Sequence, residues 1–488
     1  MPARKASVSR SRPGAPAAPS FKRSLAVFVT TIARQAVRLV GHRGTSLPGL
    51  IARKIDPSLV SSLAADLGSV VFVVGTNGKT TTARLAARIF ESVDRTPPLA
   101  NRSGANLAQG IASTLVAEAD RFGRLRHAGR TAVFEVDELA LERVLDDTIP
   151  TVLVVLNLFR DQLDRMGEVE TVIERWRGAL LRLPRTTIVV SCADDPRVDA
   201  LIVASGLPLI RFGLAAGKAT VSTVEEGDQS SLVDAVGCPV CGAPLVTTWR
   251  SIGHLGDWAC PLGHVRRSTP DISVSVASPE QGIGPAVITF DGSFGRMSAR
   301  VHLGGLSAAY DAAAAVTAAI AAGITPAAAI GALDGATPAF GRLEEAWVDR
   351  RRIVMALVKN PASMTESVEV AAALVPDGVL LGLSDEPADG RDVSWIWDVD
   401  LEPLRAVTAI GLTGTRRDDM ALRLKYEPHP TSAGWRVVTR VGAPEVALAA
   451  MLESVPPEGT LVVLATYTSL LAIRSQLERS GLVPAMPR

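Results

Sequence analysis

VVFVVGTNGKTTTARLAARIF, residues Val70 to Phe90, decides the fold. Val70 to Val74 is an unbroken run of β-branched and aromatic residues, the composition of a strand buried on both faces. Gly75 to Thr80 turns tightly, and from Thr81 onward apolar residues recur at helical spacing as Leu85, Ala86, Ile89 and Phe90. Strand, glycine turn and helix together make a phosphate cradle. Glycines let backbone N–H groups approach a polyphosphate, the helix N-terminus adds partial positive charge, Lys79 reaches the β/γ oxygens, and Thr80 offers a hydroxyl to Mg²⁺. Gly75, Thr76, Asn77, Gly78, Lys79, Thr80 and Thr81 are therefore the candidate ATP-phosphate contacts. The spacing is G-x-x-G-K-T, with Val73 where the fuller pattern has a glycine. The strand-to-helix context, more than the motif itself, argues against a merely structural glycine turn.

The length of 488 residues predicts about three domains. A hydrophobic share of 47% and a mean hydropathy of +0.24 allow sizeable cores, and an aromatic share of only 4% means that Ala, Val, Leu and Ile build them. The net charge of +1 gives no global field for nucleic acid. Lysine occurs only at positions 5, 22, 54, 79, 218, 359 and 425, so Lys79 and Lys359 stand out in an Arg-rich chain. No apolar run reaches bilayer length and no signal peptide is evident, which predicts a cytoplasmic protein.

Residues 1 to 20 have a disordered composition. Ser24 to Val40 is a basic amphipathic helix with no acidic residue before Asp56; packing on the first domain is favoured over lying on an anionic membrane. From Val70 to Val190 strand and helix alternate, as in a doubly wound sheet, whose ligands bind beyond the carboxyl ends of the strands. Thr131 to Glu135 ends at such a place and offers Glu135 to Mg²⁺. Thr151 to Leu156 leads to Asn157 and Asp161, candidate nucleotide-lining residues, and Ile188 to Val190 leads to Asp195, placed for a ribose hydroxyl. Ala308 to Ala322 is an Ala-rich helix.

Cys238-Pro-Val-Cys241 and Cys260-Pro-Leu-Gly-His264 are two knuckles of a zinc ribbon. The second is C-x3-H, with Gly263 where a fourth cysteine is expected. His264 is then the candidate fourth ligand beside Cys238, Cys241 and Cys260, with His254 in reserve. Four protein ligands make a closed, structural Zn²⁺ site. No basic and aromatic strip flanks it, which speaks against nucleic acid.

Pro338 to Glu344 reads as a hinge into a last domain, with strands at 353–358, 378–383, 406–412 and 460–465. Its polar loops are Lys359-Asn360-Pro361 and Asp385 to Asp400, DEPADGRDVSWIWDVD. The second combines many carboxylates with two tryptophans and suggests a partner-facing or catalytic loop.

GTNGKTTT, FEVDE, NLFRDQLDR, CPVCG, FGRLE, LVKNPASMTE and ADGRDVSWIWDVD together resemble the MurT-type branch of the Mur ligases, from about Gly44 to about Leu477. The resemblance implies an α/β fold: a central P-loop domain with a parallel sheet and inserted zinc ribbon, then a C-terminal α/β domain. The expected parts are 1–43 as tail and helix, 44–337 with the ribbon at about 213–272, and 338–488. It implies a carbon–nitrogen ligase using glutamine as amido donor in peptidoglycan synthesis. Mg-ATP phosphorylates the α-carboxylate of D-glutamate in the lipid II stem peptide, and ammonia from a GatD-type glutaminase subunit displaces the phosphate to give D-isoglutamine. Such a chain would work as a heterodimer at the inner face of the membrane. The family's C-terminal loop is expected to lend an Asp to the partner's catalytic Cys/His pair; Asp389, Asp392 and Asp398 are the candidates, the last two preferred. The resemblance also places Arg342 of FGRLE among the ATP contacts. Departures from the pattern are Gln162, Cys192, Asp311, Ser363 and Ser384. The competing readings are an amino-acid-adding Mur or folylpolyglutamate-type ligase and a non-catalytic ATP-binding scaffold.

Overall fold

The computed structural model describes residues 21–39, 47–94, 96–101, 105–161, 169–215, 222–223, 237–277, 285–302, 304–337, 341, 343–427 and 435–484. Arg342, Gln162, residues 1–20 and 338–340 of the expected hinge lie outside these. The chain divides into two compact units, Met1–Phe72 with Pro98–Thr151 and Val73–Pro97 with Val152–Arg488. Strand β1, Val70–Val74, crosses the division and is buried throughout.

In the first unit β2, Leu99–Ala100, runs parallel to β3, Ala132–Glu135. The helix expected from Ser24 spans Phe21–Leu39 and packs on the Leu47–Ile55 helix, which in turn packs on Ala108–Ala117. Ala26, Val27 and Thr30 form its buried face, while Arg23 donates to Ser62 Oγ at 2.7 Å. Packing is the favoured expectation realised, but a second apolar row remains on the surface. Phe21, Leu25, Phe28 and Ile32, spaced i, i+4, i+7, i+11, are 82%, 40%, 63% and 49% exposed.

The second unit holds two sheets. The central one contains β4 (Val152–Val155), β5 (Ile188–Cys192), β6 (Leu209–Leu214), β10 (Ile272–Ala277), β11 (Ala286–Gly292) and β12 (Gly295–Val301). The first four pair in parallel, and β10 to β12 form an antiparallel meander. Between β6 and β10 comes a small antiparallel sheet of β7 (Ser222–Thr223), β8 (Val246–Arg250) and β9 (Gly256–Ala259). The Ala-rich helix, Gly305–Ala321, packs on the Lys79–Asp94 helix and on β6 and β10. Eight of its alanines are almost wholly buried. Alanine favours the helix and lets neighbouring backbones approach closely, which is how a chain poor in aromatics fills this core.

The C-terminal sheet has the order β13 (Glu344–Val348), β14 (Arg351–Leu357), β18 (Thr460–Ala465), β15 (Gly378–Gly382), β16 (Ala409–Thr413) and β17 (Arg436–Arg440). All pairings are parallel except β13 with β14. Separate apolar clusters cover its two faces. β16 starts three residues later than the expected 406, because Glu402–Ala406 winds into a 3-10 turn whose first N–H groups include Glu402 N donating to Asp400 at 2.9 Å.

Candidate functional site

The turn after β1 is built by contacts that only glycine permits. Gly75 has φ +146° and a Cβ there would lie 2.8 Å from Leu156 Cβ; Gly78 has φ +88° and a Cβ would meet Asp311 Oδ1 at 2.1 Å. Asn157 holds the turn from below: its Oδ1 accepts from Asn77 N at 2.9 Å and its Nδ2 donates to Asn77 O at 3.1 Å. Thr76 N donates to Asn157 O at 3.0 Å, and Thr76 Oγ1 accepts from Phe159 N at 3.0 Å. Asn157, expected to line the nucleotide, here positions the loop. Lys79 opens the following helix, buried, with its ammonium folded onto the carbonyls of Gly75 and Thr76.

The C-terminal domain brings a second lysine to the same turn. Lys359 Nζ donates to Thr76 O at 2.9 Å and to Asp161 Oδ2 at 2.6 Å, and Asn360 Nδ2 donates to Asn77 Oδ1 at 3.1 Å. Pro361–Ala373 is set there by a capping box between Asn360 and Ser363. Asn77, Gly78, Asn157, Phe159, Ile252 and Leu255 border a cleft beside the turn. Two buried oxygens at the turn, Thr81 Oγ1 and Asp161 Oδ1, have no hydrogen-bond partner among the described residues. Two lysine ammoniums beside this turn and the unspent Thr81 hydroxyl could serve a polyanion such as a triphosphate once the ammoniums leave their carbonyl partners.

Asp195 has a different task from the expected ribose contact. It is fully buried and caps Pro196–Ser205 through Arg197 N and Val198 N at 2.9 and 3.1 Å, while its other oxygen accepts from Leu158 N at 2.8 Å and meets His254 Nε2 at 3.1 Å. No face of the carboxylate is left for a sugar. Burial works against its charge, but His254 and these N–H groups hold it below the usual carboxylate range. An Asp directly before Pro is itself the sequence signal of a helix cap. The same contact removes His254 from the metal ligands.

In the first unit Glu135 closes β3, its backbone gripped by Asn101, which accepts from Glu135 N at 2.9 Å and donates to Glu135 O at 2.8 Å. Asn101 was not singled out by sequence, having no motif of its own.

Cys238, Cys241, Cys260 and His264 bring their ligand atoms within 4.8 Å of one another. Cys241 Sγ lies 3.7 Å from Cys260 Sγ, which lies 3.6 Å from His264 Nδ1. Zn–S bonds of about 2.3 Å in a tetrahedron separate sulfurs by about 3.8 Å, so the donor set fits zinc. Burial raises the Cys260 thiol, but N–H groups of His264 and Leu262 and the His264 ring outweigh it and bring it to about 6, toward the thiolate a metal needs.

The 385–400 loop is not a free turn. Val393, Ile396 and Val399 anchor it in the core, and Ser394–Asp398 is a 3-10 turn. Asp389 is buried and accepts from Thr468 N at 2.8 Å, with its Oδ2 unpartnered among the described residues. Asp392 accepts from Ser394 N at 2.9 Å, and the exposed Asp398 pairs with Arg160 at 2.7 Å.

Residues 357–470 match the family profile described as MurT ligase C-terminal, and 73–239 that of the Mur ligase middle domain. The chain is 31% identical over 459 residues to the "Lipid II isoglutaminyl synthase (glutamine-hydrolyzing) subunit MurT" of Staphylococcus aureus (strain COL), covering 93% of this chain and 98% of that protein. It is 30% identical over 447 residues to the protein of the same name from Streptococcus pneumoniae, covering 90% and 94%. Among solved structures, a pseudomurein peptide ligase type C from Methanothermus fervidus aligns with a TM-score of 0.64 at 18% identity, over 84% of this chain and 79% of that one, a likeness of fold. With near-complete coverage in both directions, the chain belongs to the MurT family of Mur-ligase-like proteins.

Proposed function

We propose that this chain is the ligase subunit of a glutamine-dependent lipid II isoglutaminyl synthase. The observation that carries the reading is the full-length similarity to proteins of that name, in a chain whose phosphate turn is intact. In the proposed reaction an oxygen of the stem-peptide D-glutamate α-carboxylate attacks the γ-phosphorus of ATP and ADP leaves. Ammonia then attacks the acyl carbon, phosphate leaves, and loss of a proton yields the amide.

Phosphoryl transfer asks the protein for positioning and charge neutralisation. Gly75 to Thr81 present backbone donors, Lys79 swings from its carbonyl partners to the β/γ oxygens, and Lys359 adds a second cation oriented by Asp161. The Thr80 hydroxyl and the Glu135 carboxylate are the proposed Mg²⁺ ligands. Mg²⁺ would neutralise charge on the phosphate oxygens. Zn²⁺ is proposed for the ribbon, held by Cys238, Cys241, Cys260 and His264.

Ammonia is proposed to come from a GatD-type glutaminase subunit docked at the 385–400 loop, whose Asp392 and Asp398 have surface to offer and Asp389 an oxygen unpartnered among the described residues. An Asp beside the partner's His would fix the tautomer that deprotonates its Cys. No described helix is long and apolar enough to cross a membrane. The exposed row Phe21, Leu25, Phe28 and Ile32 on a helix without acidic residues supports peripheral contact with the membrane that carries lipid II.

The test is reconstitution: chain, glutaminase, glutamine, ATP and lipid II, with the product read by mass spectrometry. Amidated lipid II is expected. Nucleotide binding without turnover would instead favour a scaffold, and addition of an amino acid an ordinary Mur ligase.

A further inference from the structure

The ribbon is a hairpin with two working ends. At one, Cys260 directly follows β9 and gathers with Cys238, Cys241 and His264. At the other, the tip Ser251 to Leu255 reaches the cleft beside the phosphate turn. Ile252 and Leu255, 8% and 2% exposed, border that cleft together with Asn77 and Gly78. The tip is tied down by a continuous set of polar contacts. Ser251 Oγ meets Tyr310 OH at 2.8 Å, and Tyr310 OH donates to Asp194 Oδ2 at 2.6 Å. Gly256 N donates to Asp194 O at 3.0 Å, and Trp258 Nε1 to Ala193 O at 3.2 Å. The His254 ring lies 4.7 Å from Phe159, and its Nε2 shares Asp195 Oδ2 with Leu158 N. Leu158 follows Asn157, the residue that holds Asn77. One carboxylate therefore links the hairpin tip to the strand end that shapes the phosphate turn.

We propose that residues 251–255 are a positioning wall of the nucleotide cleft, and that the Cys3His centre at the far end of the hairpin sets nucleotide affinity by holding this wall in register. The small sheet has three strands, but β7 is only two residues long, so β8 and β9 carry most of its pairing and form a marginal unit by themselves. A one-residue slip would turn Trp249 and Trp258 from their buried sides, and a metal held by the Cys3His set would pin the strands at the cysteine end. The inference rests on the nucleotide-binding reading given above.

The test measures binding, not turnover. The full-length chain is titrated with a fluorescent ATP analogue and Mg²⁺ as purified with zinc, after stripping by a chelator, and after zinc is restored, with circular dichroism following the overall fold. Stripping is expected to weaken binding about tenfold and zinc to restore it. The double variant Ile252→Ala, Leu255→Ala, which keeps all four ligands, is expected to retain its zinc and still bind about tenfold more weakly. Unchanged affinity in a folded, zinc-free chain overturns the proposal, and so does unchanged affinity in the zinc-loaded double variant; if stripping unfolds the chain, the double variant alone decides. Absence of binding in the zinc-loaded wild type, equal to that of Lys79→Ala, overturns the nucleotide reading itself and this inference with it.

Discussion

The two large sheets of the second unit end in polar loops of opposite character. Around Gly75 to Thr81 the groups are mostly donors: Lys79, Lys359, Asn77, Asn157 and the turn's own N–H groups. Around the C-terminal sheet, Asp385, Asp392, Asp398 and Asp400 give the 385–400 loop an acidic rim with Glu369 near Asp400, whereas Glu366 borders the cleft beside the phosphate turn. The first suits a polyanion; the second is acidic, with Asp398 paired to Arg160 and Asp385 to Arg416. Under the proposed function, phosphoryl transfer from ATP belongs to the first loop and the partner's glutamine hydrolysis to the second, so a substitution on each should damage different half-reactions.

The largest effect is expected at the donor site. Lys79→Ala should lower ATP-dependent amidation by on the order of 10³-fold, since it removes a charge aimed at the phosphate oxygens. Thermal unfolding should stay near wild type, because the carbonyls of Gly75 and Thr76 that the ammonium meets lie in a loop and not in the core. Wild-type turnover would erase the contrast. Next come Asp392→Asn and Asp398→Asn. Whichever serves the partner should lower glutamine-driven amidation on the order of 10²-fold, with ammonium chloride restoring the rate. Failure of ammonium to rescue would move the acidic rim into the ligase reaction. Lys359→Met should weaken ATP-dependent kcat/KM by about tenfold, roughly 1.4 kcal/mol, as it strands the Asp161 carboxylate beside the loop. Adding Asp161→Asn should recover part of that loss.

How much of this was legible in sequence follows from burial. β1, β15 and β18 are covered on both faces and read as unbroken apolar runs, and β1 and β18 fall on the expected residues. β10 to β13 are only partly buried and mix polar residues among the apolar ones, and sequence alone did not single them out. The phosphate turn was legible because its chemistry is local. Lys359 stood out by rarity, but its partners Thr76 and Asp161 are nearly 200 or more residues away in sequence, and the hairpin tip meets Asp194, Asp195 and Tyr310 across some 60 positions. Local signals cannot encode such pairs. Where a local signal existed, as with Asp195 before Pro196, the cap competed with a functional reading and won.

The smallest effect sharpens the account of the acidic rim. Burial, then Glu366 and then Asp400 push the Glu369 carboxyl up to about 7 from an ordinary 4.5. Between those values the native chain keeps a proton that the unfolded chain releases. Stability contributed by this group is therefore full below the unfolded value and is lost as pH rises through the folded one. Glu369→Gln should match wild type in thermal unfolding near pH 5 and exceed it near pH 8. The side chain also retains exposed surface, and water screens the repulsion, so the gain should be only about 1 °C. An identical pH dependence in the two proteins would mean that these carboxylates do not act on one another, and the rim would reduce to separately solvated charges.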